Sequence, residues 1–402
     1  MDLKEIQDAI EKLPGDQQIE LAKWLRGRSP RRVRKESVVD RRVFFKSPAL
    51  LWTVASLLAF LIAEGAIFRL GWYNKYLEPN SSAGMVESYL FWLTRSRPVR
   101  VPQVMLVGDS RIAEGFSAPV AEKAAGNRIQ FWNFGIGGTT PRVWYYMLRD
   151  ADPTRRRFAA IVMALDHYAD EDHWDSMPNR LIDLNFVIGR LRLTDCWDFA
   201  SSMKTAEYRG KALSGCLFKG ITLRRDAQEL LLHVSDRVKR SKDWRNNGPI
   251  YINGYGGREE SLQGLSADFT HRTINYPPGL PQLGKDTIHD MVMAPPAPQR
   301  GDTTRYRELW LNRIIDMYKD SPTKLIFLEL PRAPLPKPES PQPATWLHSV
   351  LARPHVSALP RSTFRDLERP EDFFDGLHLN KVGRRLFSER IAAQVPPVIG
   401  IP

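Results

Sequence analysis

This 402-residue chain predicts an α/β fold, a parallel sheet with helices on both faces preceded by one transmembrane helix, and three observations carry that prediction. Four short apolar runs, at 103–107, 129–133, 160–165 and 324–330, have the length and β-branching of buried strands. Stretches of helical spacing at 117–125, 140–150, 303–319 and 381–394 alternate with them, as helical crossovers between parallel strands do. Upstream, the run Pro48 to Leu70 is about the twenty apolar residues that one helix needs to cross a bilayer.

In chain order, residues 1–28 read as a small cytoplasmic helical hairpin. Leu3, Ile6, Ile10 and Leu13 share a helical face, Pro14-Gly15-Asp16 breaks it, and Ile19, Leu21, Ala22, Trp24 and Leu25 resume it. The hairpin is too small to bury a core of its own, so it either packs on a partner or is loosely folded. Residues 29–47 form a basic juxtamembrane segment and 48–70 the span, whose one acid, Glu64, lies near the outgoing end, where it could snorkel or sit among headgroups. Trp72, Tyr73 and Tyr76 read as an interfacial aromatic belt, with Trp52 near the other face. Positive residues stay inside, which predicts a single-pass protein of the inner (cytoplasmic) membrane with a cytoplasmic N-terminus. The leading region is longer than a signal-peptide n-region and no Ala-x-Ala site follows the span, so a retained anchor is expected. A linker at 71–99 then leads to an extracytoplasmic α/β domain at 100–396, with a long insert at about 170–300.

The formal net charge of +12 invites a nucleic-acid reading, but much of the excess sits in the juxtamembrane run, where an anionic inner leaflet accounts for it. No zinc spacing and no RNP-like pattern supports nucleic acid. Asp166, His167, Asp170, Asp172 and His173 cluster within eight residues, yet their spacing matches no defined ligand motif, so neither a metal nor a cofactor is expected. The two cysteines, Cys196 and Cys216, either form a disulfide closing a loop of about twenty residues, worth about 3 kcal/mol in the chain-entropy model, or remain buried thiols.

Two short stretches carry the chemistry. Gly108-Asp-Ser-Arg111 follows the strand Val104 to Val107, so Ser110 falls in a loop at a strand's carboxyl end, where open α/β sheets bind ligands. Asp375 stands three residues before His378 in Asp375-Gly-Leu-His-Leu-Asn380, a spacing that lets a carboxylate orient an imidazole while the imidazole takes a serine proton. Ser110, Asp375 and His378 thus read as nucleophile, orienting acid and general base. Asp109 is read as a turn cap, and Arg111 either steers substrate or forms a surface ion pair.

These blocks resemble those of the SGNH (GDSL-type) hydrolase superfamily, which implies an SGNH-hydrolase-like (flavodoxin-like) parallel sheet. Phe131-Trp-Asn-Phe-Gly-Ile-Gly-Gly-Thr-Thr140 is similar to that family's second block. The resemblance makes Gly138 an oxyanion donor beside the Ser110 N–H, with Asn133 and Gly135 in the flanking pattern. The third block departs, because Asp166 stands at the usual Asn position. An ionised aspartate accepts and cannot donate, and losing one oxyanion donor costs roughly 2.7–4 kcal/mol. Similar departures occur among membrane-anchored DltD-like and alginate-acetylation (AlgJ/AlgX-like) proteins. The resemblance therefore implies an acyl-ester enzyme, an O-acyltransferase or esterase acting on a cell-envelope polysaccharide through an acyl-serine, with a multi-spanning membrane acyl donor protein as partner. The alternative is a non-catalytic SGNH-fold polymer-binding or scaffold protein. Around the site, His167 and Arg332 are expected to face substrate, and the insert to supply either a lid or glycan surface with Trp174, Tyr251 and Tyr255, or structural loops only.

Overall fold

In the computed structural model, residues 12, 14–19, 23, 48–96, 99–165, 179–252, 254–293, 301–331, 333–336 and 351–401 are described. The chain divides into two units, Met1–Ala63 and Glu64–Pro402. In the second, β1 (Gln103–Gly108), β2 (Gln130–Gly135), β3 (Ala160–Leu165), β6 (Lys324–Glu329) and β7 (Val356–Ala358) form one parallel sheet in the order β2-β1-β3-β6-β7. A small antiparallel hairpin, β4 (Ser266–Asp268) with β5 (Thr273–Asn275), stands apart from it. Counted within the large sheet the order is 2-1-3-4-5, a doubly wound arrangement whose switch point lies between the first and third strands. Gly108 pairs with Gly135, so β1 and β2 end level, and the turns after them leave the sheet side by side.

The strands are mostly apolar, with polar residues chiefly at their ends, because both faces are covered. Met105, Val107, Phe134, Ile161, Met163 and Phe327 face one core with α2 (Ser82–Arg95), α5 (Pro141–Ala151) and α12 (Gly301–Met317). Val104, Leu106, Phe131, Val162 and Ile326 face the other, with α3 (Ser110–Gly115), α4 (Ala118–Ala124), α11 (Gln282–Met293) and α13 (Lys381–Val398). The alternation is the period of two of a strand buried on both sides. Helix α13 is sewn onto the start of α4: Ser117 N–H donates to Ser388 Oγ at 2.8 Å, and Arg384 donates to the Phe116 carbonyl at 3.1 Å.

Several expectations change. β7, only three residues long, was not anticipated. The expected linker at 71–99 carries α2, whose Val86, Tyr89, Leu90 and Leu93 are buried in the first core. Of the aromatic belt, Tyr73 is core, 3% exposed, its hydroxyl donating to Asp226 at 2.7 Å. Trp72 alone stays exposed enough for an interface, at 44%. The insert, expected as loops, is largely helical between 182 and 247: α6 (Ile182–Val187), α7 (Leu193–Ser201), α8 (Ala206–Leu217), α9 (Lys219–Leu232) and α10 (Val234–Asn247). Cys196 and Cys216 are joined in a disulfide linking α7 to α8 with Cα atoms 5.4 Å apart, which decides between the two states left open by sequence.

The apolar helix α1 (Pro48–Phe68) has 21 residues and a mean hydropathy of 2.0 in its most apolar window, long and apolar enough to span a membrane. Glu64, in its last turns, neither snorkels nor reaches solvent. It is buried and accepts the Gly220 N–H at 3.0 Å at the start of α9, while Arg69 just beyond donates to the Cys216 and Leu217 carbonyls that end α8.

Candidate active site

Ser110 is the first residue of α3, immediately after β1, and not in a loop as expected. Asp109 has extended backbone and caps the helix, its carboxylate accepting the Arg111 N–H at 2.9 Å, and the same carboxylate pairs with the Arg111 guanidinium. Arg111 is therefore engaged beside the nucleophile by the residue that caps its helix. The short helix stops against Asn133, which is 1% exposed. Its amide donates to the carbonyls of Ile112, Ala113 and Phe116 at 2.9–3.2 Å, and its oxygen accepts the Gly135 N–H. One buried side chain thus supplies carbonyl partners that a helix end lacks and ties them to the end of β2. Gly135 is required by this closeness, because a Cβ there would run into the backbone of Ala113.

The other half of the site lies after β7. Phe373 bridges Leu379 and the Phe374 N–H donates to the His378 carbonyl, so 373–379 closes as a tight loop. Asp375 Oδ1 accepts the N–H groups of Leu377 and His378 at 2.8 and 2.7 Å, an Asx-type turn made by the carboxylate that also binds the ring. His378 Nδ1 lies 2.9 Å from Asp375 Oδ2, and Nε2 lies 2.8 Å from Ser110 Oγ. With Nδ1–H donating to Asp375, Nε2 is left to accept the serine proton. Phe374 stacks on the imidazole at 5.6 Å between centroids, and Arg258 lies over Phe374.

Burial, the largest influence on the imidazole, pulls its pKa down, but the hydrogen bond and charge of Asp375, aided by the charges of Glu114 and Asp109, more than offset it and hold His378 above its ordinary value. Burial likewise pushes the Asp375 carboxyl up, and the bonds it accepts from His378 and two backbone N–H groups bring it below the usual range. Both shifts keep a carboxylate beside a basic imidazole.

A third loop borders Ser110. After β2, Ile136 N–H donates to the Gly108 carbonyl, and Thr139 N–H to that of Ile136, closing a turn in which Gly138 has φ +74°. That φ at the third position belongs to a type II turn and favours glycine. A Cβ on Gly137 would be 3.6 Å from Ser110 Cβ, so this turn abuts the nucleophile. Among the described residues no acceptor is bonded to the Gly138 N–H, and the Ser110 N–H, in the first turn of its helix, has no intrahelical acceptor.

The three elements bring Ser110, Asp375, His378 and Gly138 together. Asp166, His167, Trp174 and Arg332 lie outside the described residues. Tyr251 and Tyr255, expected as glycan platforms, are half-buried against each other at 5.0 Å, and the Tyr255 hydroxyl donates to Glu114 at 3.0 Å. The insert thus reaches both halves of the site: Tyr255 holds the helix of Ser110, while Arg258 covers Phe374 and accepts the Lys381 N–H at its carbonyl. Sequence reading missed Glu114, Arg258, Phe374 and Arg180. Glu114 had one signal, lying four residues after the nucleophile and hence on the same side of its helix. Neither protein-family models nor curated proteins give a match to this chain.

Proposed function

We propose that this chain is a membrane-anchored, extracytoplasmic SGNH-type serine enzyme of acyl esters, an O-acyltransferase or esterase acting on a cell-envelope polysaccharide. The Ser110–His378–Asp375 relay, with both hydrogen bonds formed, carries the reading. Ser110 Oγ attacks the acyl carbonyl as its proton passes to His378 Nε2. The tetrahedral oxyanion is held by the N–H groups of Ser110 and Gly138. It collapses to an acyl-serine when the leaving alkoxide takes the proton from His378. A second hydroxyl, from water or a sugar, then gives its proton to His378 and attacks the acyl-serine, and Ser110 leaves as its alkoxide takes that proton back from His378. Asp375 stays ionised throughout and stabilises the imidazolium.

Placement in the inner membrane with the domain outside is supported by the basic residues before α1 and by the Cys196–Cys216 disulfide, a bond that persists in oxidising compartments. A multi-spanning membrane acyl donor protein is the partner this reading expects. The test is covalent labelling of the full chain in detergent by a fluorophosphonate, with acetyl-ester hydrolysis read in parallel. Labelling of wild type that is lost in Ser110→Ala and His378→Ala is expected. A folded wild type that does not label would overturn the enzyme in favour of a polymer-binding scaffold.

A further inference from the structure

Three charged side chains outside the relay form a chain that ends at Gly138. Arg142 and Asp183 are fully buried and paired at 3.2 Å. The same Asp183 oxygen accepts the Thr140 hydroxyl at 3.0 Å, and the other accepts Arg180 Nε at 3.1 Å. Arg180 Nη2 in turn donates to the Gly138 carbonyl at 2.6 Å, while the Arg180 carbonyl accepts from Arg142 at 3.4 Å. Arg180 is thus gripped at its main chain and its guanidinium. Arg180, with its side chain 21% exposed, carries its guanidinium to the rim.

A buried ion pair gives little net stability against apolar packing, so stability alone does not account for this chain. Its geometry does. A Cβ on Gly138 would lie 3.5 Å from Arg180 Nη2, which places the guanidinium over the glycine whose N–H has no acceptor among the described residues. Holding the Gly138 carbonyl restrains the exit of the turn, in which Gly138 sits at φ +74° one bond away from that N–H.

We infer that Arg180 is a positioning residue for the oxyanion. It acts through Gly138, anchoring the carbonyl of the residue whose N–H would donate to the developing negative charge and setting its guanidinium beside it. This rests on the serine-nucleophile reading above.

The experiment compares wild type, Arg180→Gln, Arg180→Lys and Ser110→Ala as full chains in detergent, normalised to folded protein by thermal melting. It reads the rate of fluorophosphonate labelling, and kcat and KM on an aryl acetate across pH. Arg180→Gln is expected to slow labelling and lower kcat about tenfold to hundredfold, with KM and the acid limb of the profile unchanged. Arg180→Lys, which keeps a charge and a donor, is expected to recover part of the loss. Wild-type rates in Arg180→Gln, or equal losses in the two variants, would overturn the inference while leaving the relay intact. A wild type that fails to label would remove the relay and this inference together.

Discussion

Ser110 and His378 reach the same point by different kinds of support. Ser110 stands at a strand-to-helix junction, placed by β1, by the capping carboxylate of Asp109 and by the buried amide of Asn133. The base stands on the tight 373–379 loop, and one carboxylate both shapes that loop and orients the ring. Changes around Ser110 should therefore be felt as stability, and changes around His378 as chemistry.

The largest effect should come from the base side. Asp375→Asn should keep the fold and lower kcat by about 10⁴, by releasing the imidazole tautomer. It should also move the acid limb of the rate profile to lower pH. The sign follows from the raised His378: the base is useful only when neutral, so wild-type activity should rise through a pH above the ordinary imidazole value. The stability that His378 contributes runs the other way. It is complete below the unfolded-state pKa and lost as pH rises through the folded one, so on the proposed mechanism activity should rise as that contribution is lost. Steady-state rates and denaturant midpoints over the same pH series check both directions.

The next effect tests the nucleophile side. Asn133→Ala leaves the buried Ala113 carbonyl without its partner and strips one of two donors from those of Ile112 and Phe116, and should cost about 2 kcal/mol, read as a lower denaturation midpoint. Labelling per folded molecule should fall far less than in Asp375→Asn. The reverse ranking would break the comparison. The smallest effect sharpens it: Glu114→Gln removes one charge that raises His378, so the acid limb should move down slightly, with plateau kcat within about threefold of wild type.

The parts legible in sequence are those whose burden is local. β1, β2, β3 and β6 are short apolar runs because parallel strands are covered on both faces, and their ends carry the Gly-Asp-Ser and Phe-Gly-Ile-Gly-Gly turns. The Asp375 to His378 spacing is local as well. β7, three residues starting at Val356, is too short to show a period. The helices from α6 to α10 are short, and α10 is mostly charged or polar, so no apolar stripe announces them. Tyr73 reads as an interfacial aromatic from its place after α1, and only its Asp226 partner, 153 residues away, makes it core. Glu114 and Arg180 carry no motif, because their roles arise where the insert and the oxyanion turn meet the triad.

The stitching of α13 onto the start of α4 bears on when this molecule becomes reactive. Ser110 and its base are 268 residues apart, and the base lies just before the helix that ties down Phe116 and Ser117, the residues that follow α3. A chain emerging N-terminus first therefore presents its serine long before anything can deprotonate it. On the proposed function and topology, the hydroxyl stays chemically silent through synthesis and passage across the membrane, and is armed only when the final helix closes over the fold.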